Sequence, residues 1–136
     1  RDFDQALKSY NQSVEIGNTY AGVDYALYQK AFVLGLQKSY NEKIATLKDL
    51  QTRFPKSDWN DDALFEIGKS YIALDKTNEA IASFEAISQK YPASSPVVRK
   101  AQLQIAMLQY NSGKENLQIF SQGTILHKKE TKLYVV

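Results

Sequence analysis

The chain is 136 residues long, 43% hydrophobic and 24% charged, which suits one ordinary globular domain with a usable core. Its net charge of +2 comes entirely from residues 121–136, with three lysines and one glutamate; residues 1–120 balance and offer no basic stripe for nucleic acid. The absence of cysteine excludes disulfides, thiol catalysis and cysteine-based zinc sites, and no run of about 18 apolar residues is present to span a membrane.

Apolar residues recur at three- and four-residue spacing in seven segments, the pattern of amphipathic helices. The first covers about 3–16, with Phe3, Leu7, Tyr10 and Val14 on one stripe. Arg1-Asp2-Phe3 enters this pattern already under way, with no initiator methionine and no signal-like segment, so the chain is expected to be a fragment of a longer protein. The second covers about 21–38 (Tyr25, Tyr28, Phe32, Leu36) and the third about 41–54 (Ile44, Leu47, Leu50, Phe54). The fourth, about 58–74, carries Ala63, Ile67, Tyr71 and Leu74, with Asp58 as expected N-cap and Asp61 and Asp62 in the first turn. The fifth, about 78–91, carries Ile81, Phe84, Ile87 and Tyr91. Ser95-Pro96 opens the sixth, about 96–111, with Val98, Leu103, Ile105 and Leu108; the seventh starts near Glu115, with Leu117 and Phe120. Pro55 and Pro92 each follow an aromatic residue and should end the helix before them. The loops are short, so successive helices are expected to be antiparallel neighbours. Strand alternation is confined to Lys132–Val136.

The segments echo one another at a spacing of 37 residues. Ala6-Leu7 with Tyr10 returns as Lys43-Ile44 with Leu47 and as Ala80-Ile81 with Phe84. Arg53-Phe54-Pro55-Lys56-Ser57 returns as Lys90-Tyr91-Pro92-Ala93-Ser94. Such a period predicts a repeat architecture in which each unit buries its apolar face against its neighbours.

Residues 61–94 resemble a tetratricopeptide repeat, through Leu64, Ile67-Gly68, Tyr71, Ala80, Phe84 and Pro92 at the family's spacing. Gly68 and Ala80 should be small where two helices cross, with Tyr71 and Phe84 filling the gap beside them. Residues 24–57 match less fully: Ala31, Leu34, Lys43 and Leu47 stand at the family's glycine, tyrosine, alanine and phenylalanine positions, and Pro55 agrees. Residues 3–20 resemble the second half of an earlier unit. Residues 99–120 resemble a partial later one with Ala106 at the small position, and the register fails after Gly113. The resemblance implies an all-α solenoid of antiparallel helix pairs, about seven helices, over residues 1–120, followed by a poorly patterned tail at 121–136. The family period is about 34. The surplus falls at Ala21–Val23, Asp58–Asn60 and Ser95–Val98, where it is expected to lengthen each unit's first helix by about one turn. That spacing, with the Phe-Pro-x-Ser and Tyr-Pro-x-Ser boundaries, is similar to tetratricopeptide proteins of the bacterial cell envelope. A periplasmic location is the expectation, with the cytoplasm left open.

No catalytic, metal or cofactor constellation emerges. His127, the sole histidine, has no partner nearby and reads as a surface residue. Asp61-Asp62 reads as compensation of a helix dipole, and the tail His127–Lys132 as a solvated end. Leu133–Val136 either packs on the last repeat or marks truncation.

What the resemblance implies is a non-catalytic module that binds a protein or peptide on its concave face. The alternative is a structural spacer or a self-association domain. The residues that would line the groove are Tyr25, Tyr28, Phe32 and Gly35, then Asp62, Phe65, Lys69 and Ile72, then Lys100, Leu103, Met107 and Tyr110. Phe32 and Phe65 fit inter-helix core equally well, and Tyr28 has the same alternative; the polar tips of Tyr25 and Tyr110 favour exposure. The Lys/Asn/Arg clamp with which some relatives hold a C-terminal carboxylate is not among these residues. A Tyr28→Ala, Phe65→Ala variant is expected to lose the partner while staying folded.

Overall fold

The computed structural model describes residues 2–15 and 22–121, and for residues 115–121 it describes the backbone alone. Six helices and no strand occur among these residues: α1 (Phe3–Glu15), α2 (Val23–Leu36), α3 (Tyr40–Arg53), α4 (Asn60–Ala73), α5 (Thr77–Lys90) and α6 (Pro96–Ser121). Each packs against the next across a short connection, and α4 also reaches α6. The result is an all-α solenoid of antiparallel helix pairs.

The 37-residue period has a direct structural account. α2, α3, α4 and α5 are each 14 residues long. Residues 37–39 and 74–76 make matching three-residue turns, and residues 54–59 link the first pair to the second. The surplus over the family period therefore sits mainly in the linker and not in a longer helix. Asp58 and Trp59 remain in the turn and only Asn60 joins α4, while Gly22 holds φ 96 outside α2. At the third junction Pro96 does open the helix, so Pro96–Val98 extends α6 as expected.

Asp58 does not cap α4. The Trp59 N–H donates to Ser57 Oγ (3.2 Å) and the Asn60 N–H to the Ser57 carbonyl (3.2 Å), so Ser57 sets the turn. Ser57 Oγ also donates to Asp24 Oδ2 (2.5 Å), pinning the linker to the first turn of α2. Asn60 Nδ2 donates to the Phe54 carbonyl (2.8 Å) and fastens the other end.

The expected sixth and seventh helices are one. α6 runs through Gly113 without a left-handed residue. A lone glycine costs a helix only about 1 kcal/mol, and no proline follows to stop it. The expected surface position of His127, the solvated or packed tail and the strand-like Lys132–Val136 lie outside the described residues, as do the side chains of Leu117 and Phe120.

Two core clusters divide the solenoid. Leu27, Ala31, Ile44, Leu47 and Leu50 close the first pair against Ala63 and Ile67 of α4. Phe65, Ala80, Phe84 and Ile87 close the second pair against Val97, Val98 and Ala101 of α6. Each pair is thus completed by the first helix of the next unit, as repeat stacking requires. A Cβ on Gly68 would lie 2.5 Å from Phe84 Cε1, so the glycine is what lets α4 and α5 cross at this distance.

Candidate functional site

Phe32, Gly35 and Leu36 of α2, Tyr40 and Lys43 of α3, and Lys69, with Glu66, Ser70 and Ala73, of α4 line a cleft of about 280 Å³. Helical spacing explains the α2 wall. Phe32 and Leu36 lie one turn apart, and both stay exposed because the buried face of α2 is taken by Leu27, Ala31 and Leu34. Phe32 is 55% exposed, which makes it groove wall and not core.

A partly buried ion pair lies in the lining of the cleft. Lys43 Nζ donates to Glu66 Oε1 (2.8 Å), and Lys69 Nζ reaches Glu66 Oε2 (3.4 Å). Lys43 stands where the repeat pattern expects a small residue and is only 8% exposed. Gly35 leaves room beside it: a Cβ there would lie 3.2 Å from Lys43 Nζ and 3.3 Å from Cδ, so the lysine would shift by only a few tenths of an ångström. Burial alone would push the Glu66 carboxyl up. The hydrogen bond and charge of Lys43, with Lys69 behind them, outweigh burial and hold it below the usual glutamate range.

The remaining expected groove residues fall in three places. Tyr25 and Tyr28 meet Trp59 of the linker, with ring centroids 4.8 Å and 5.0 Å away. Tyr25 is exposed and Tyr28 half-buried; burial, then the carboxylates of Glu66, Asp62 and Asp61, push the Tyr28 hydroxyl up to about 12. Phe65 is not groove. It is 8% exposed and packs on Phe84 (5.4 Å between centroids), because its side of α4 faces α5 and α6. The Tyr28→Ala, Phe65→Ala variant would therefore damage the core. Lys100 stands over the Phe65 ring at 4.6 Å from its centroid, and half-buried Asp62 lies within the field of this lysine. Ile72 packs against the second core.

Leu103, Met107 and Tyr110 are exposed on α6. The 37-residue period carries Glu66, Ser70 and Ala73, the α4 wall of the cleft, onto these three residues. The equivalent wall of α6 is thus apolar throughout. Ala106, expected at a small crossing position, is exposed as well.

Leu36, Tyr40, Lys43, Glu66 and Trp59 are parts of the site that sequence reasoning did not assign to it. Leu36 was on the right stripe. A lysine at a small crossing position calls for a compensating carboxylate, and that signal could have found Glu66. Nothing local marks Trp59, a single aromatic residue in a linker. Among the described residues no three His, Cys, Asp or Glu side chains converge to hold a metal, and no helix is long and apolar enough to cross a membrane.

Residues 25–57 and residues 62–94 each match the tetratricopeptide repeat model. No curated protein matches the chain.

Proposed function

We propose that this chain, built around two tetratricopeptide repeats, is a non-catalytic interaction module holding an extended or helical protein segment in its groove. Such repeats in general mediate protein–protein interaction. The observation that carries the reading is the cleft between α2, α3 and α4, with Phe32 and Leu36 exposed on its wall and Lys69 opposite. Apolar surface edged by a few charges suits a peptide, and stacked helices reduce the ordering cost of binding. Affinity capture from native lysate, with wild type beside a Phe32→Ala, Leu36→Ala variant, tests it. Both residues are exposed, so the variant keeps its helicity. A partner lost only in the variant is expected; equal capture by both proteins sinks the groove reading.

A second reading, self-association, is favoured by Leu103, Met107 and Tyr110 lying exposed on α6. Light scattering decides it, since a mass that stays monomeric at every concentration counts against this reading. We also infer that the module works in a bacterial envelope complex on the periplasmic side. The support is the 37-residue spacing with its Phe54-Pro55 and Tyr91-Pro92 boundaries. Recovery of the protein in the cytoplasmic fraction would overturn that placement.

A further inference from the structure

We propose that Tyr25, Tyr28 and Trp59 form a recognition site for a cationic side chain, arginine or lysine, of the bound segment. The proposal rests on the groove reading and adds the chemistry of the ligand.

Three aromatic rings from two elements converge at one end of the groove. Trp59 contacts both tyrosines, tilted 45° to Tyr25 and stacked at 29° to Tyr28, and Trp59 and Tyr28 rest on the first core. Gln29 Nε2 donates to the Tyr25 hydroxyl (2.6 Å), which fixes that ring while leaving it exposed. Tyr28 borders a small hollow shared with Phe32, Lys43 and Glu66, so the cluster is continuous with the cleft. An aromatic face attracts a cation through its quadrupole, and tryptophan and tyrosine do so best.

The charges around the rings have the matching sign. Asp61 and Asp62 follow Trp59 at the start of α4, and Asp58 precedes it. No lysine or arginine lies within ion-pair distance of Asp61 or Asp62 among the described residues. Burial and the neighbouring Asp61 push the Asp62 carboxyl up, and Lys100 only partly offsets them. Burial, then the lysine-paired Glu66 and the carboxylates of Asp62 and Asp61, push the Tyr28 hydroxyl up, so that edge of the ring faces a net negative potential chiefly from the two aspartates. A cation would relieve that potential, and a neutral or anionic group would not.

The fold supplies an internal comparison a short way along α4. Phe65 already has Lys100 at 4.6 Å and Lys69 at 5.9 Å from its ring centroid. Phe54, Tyr71 and Tyr91 likewise carry a lysine or arginine over the ring. Tyr25, Tyr28 and Trp59 have no such cation from among the described residues, although they lie in the more acidic setting. The missing cation is the one the partner brings.

Trp59 is the only tryptophan of the chain, so its fluorescence reports on this site directly. The probes are two synthetic peptides of about ten residues, identical except that one carries arginine and the other its neutral isostere citrulline, each with two leucines for the apolar wall. Binding of the arginine peptide about fivefold tighter is expected from an added cation–π contact. That advantage should vanish in Asp61→Asn, Asp62→Asn and in Tyr25→Leu, with circular dichroism confirming that each variant is folded. Equal binding of the two peptides overturns the cation site; if that binding is lost in Phe32→Ala, the groove reading survives. No response of Trp59 to either peptide at millimolar concentration also overturns the cation site, and the capture experiment then judges the groove by itself.

Discussion

Gly68 and Gly35 show how one missing methyl group sets what a neighbouring helix can carry. At Gly68 the obstructing atoms belong to the Phe84 ring, which is fully buried in the second core and has nowhere to move. Gly68→Ala should therefore cost about 1–3 kcal/mol in urea unfolding, in spite of alanine's better helix propensity. At Gly35 the obstruction is the flexible end of Lys43, which can give way, so Gly35→Ala should change stability by less than about 1 kcal/mol. Tyr28 offers a second check at this scale. Its folded pKa of about 12 exceeds the ordinary 10.0, so its contribution to stability is full below pH 10.0 and is lost as pH rises toward 12. Alkaline absorbance titration should show Tyr28 as the latest step, and Tyr28→Phe should remove that step while leaving the delayed ionisation of Tyr91. A curve without that late step would contradict the burial of Tyr28 and the carboxylates placed near it.

The turns and the last helix carry the lesson of element scale. Lys38 and Asp75 sit 37 residues apart with φ of 61° and 59°, both left-handed and neither glycine. The Ser39 N–H returns to the Leu34 carbonyl and the Lys76 N–H to the Tyr71 carbonyl, each at about one turn's reach (2.9 and 2.8 Å), which closes α2 and α4 in the same manner. Left-handed backbone costs a side-chain-bearing residue about 1 kcal/mol, so Lys38→Gly and Asp75→Gly should each stabilise by roughly that amount in thermal unfolding. No glycine marks these turns, so their type was not legible in the sequence even though their position was. Gly113 presents the opposite case. A conspicuous glycine suggested a break, but it lies within α6 and a Cβ there would meet nothing within 4 Å. Gly113→Ala should raise stability by about 0.5–1 kcal/mol; a loss would mean that the glycine has a conformational role.

Across the molecule, Glu66 ties one repeat to the next. It lies on α4 and holds Lys43 of α3, while Lys69 approaches its other oxygen. Glu66→Gln would leave Lys43 nearly buried without an anionic partner, at a cost of roughly 2 kcal/mol near neutral pH. The folded pKa of Glu66 lies below its ordinary 4.5, so its contribution is full above that value and is lost as pH falls through the folded pKa. The gap between wild type and Glu66→Gln should therefore narrow as the pH drops below 4.5. A gap that stays constant down to strong acid would show that the charge on Glu66 contributes nothing to the junction.

The sequence by itself determined the first five helices and the start of the sixth, their antiparallel order, the repeat and the small-against-large match of Gly68 with Phe84. These follow from periodicity and residue size, which read along the chain. It placed Pro55, Pro92 and Pro96 correctly at helix boundaries, since proline acts on its own backbone and the residue before it. The tertiary structure decided which face each helix buries. Phe32 and Phe65 fit groove or core equally well in the sequence but diverge, because the side of α4 bearing Phe65 is covered by α5 and α6 while Phe32 borders an open cleft. It also decided that a lysine could stand at a small crossing position, since Gly35 and Glu66 come from two other helices to accommodate it. The meeting of Trp59 with Tyr25 and Tyr28 depends on how the linker folds back over α2 through Ser57 and Asp24. Burial, ion pairing and ring contact are properties of neighbours far apart in sequence, and only the packed chain brings those neighbours together.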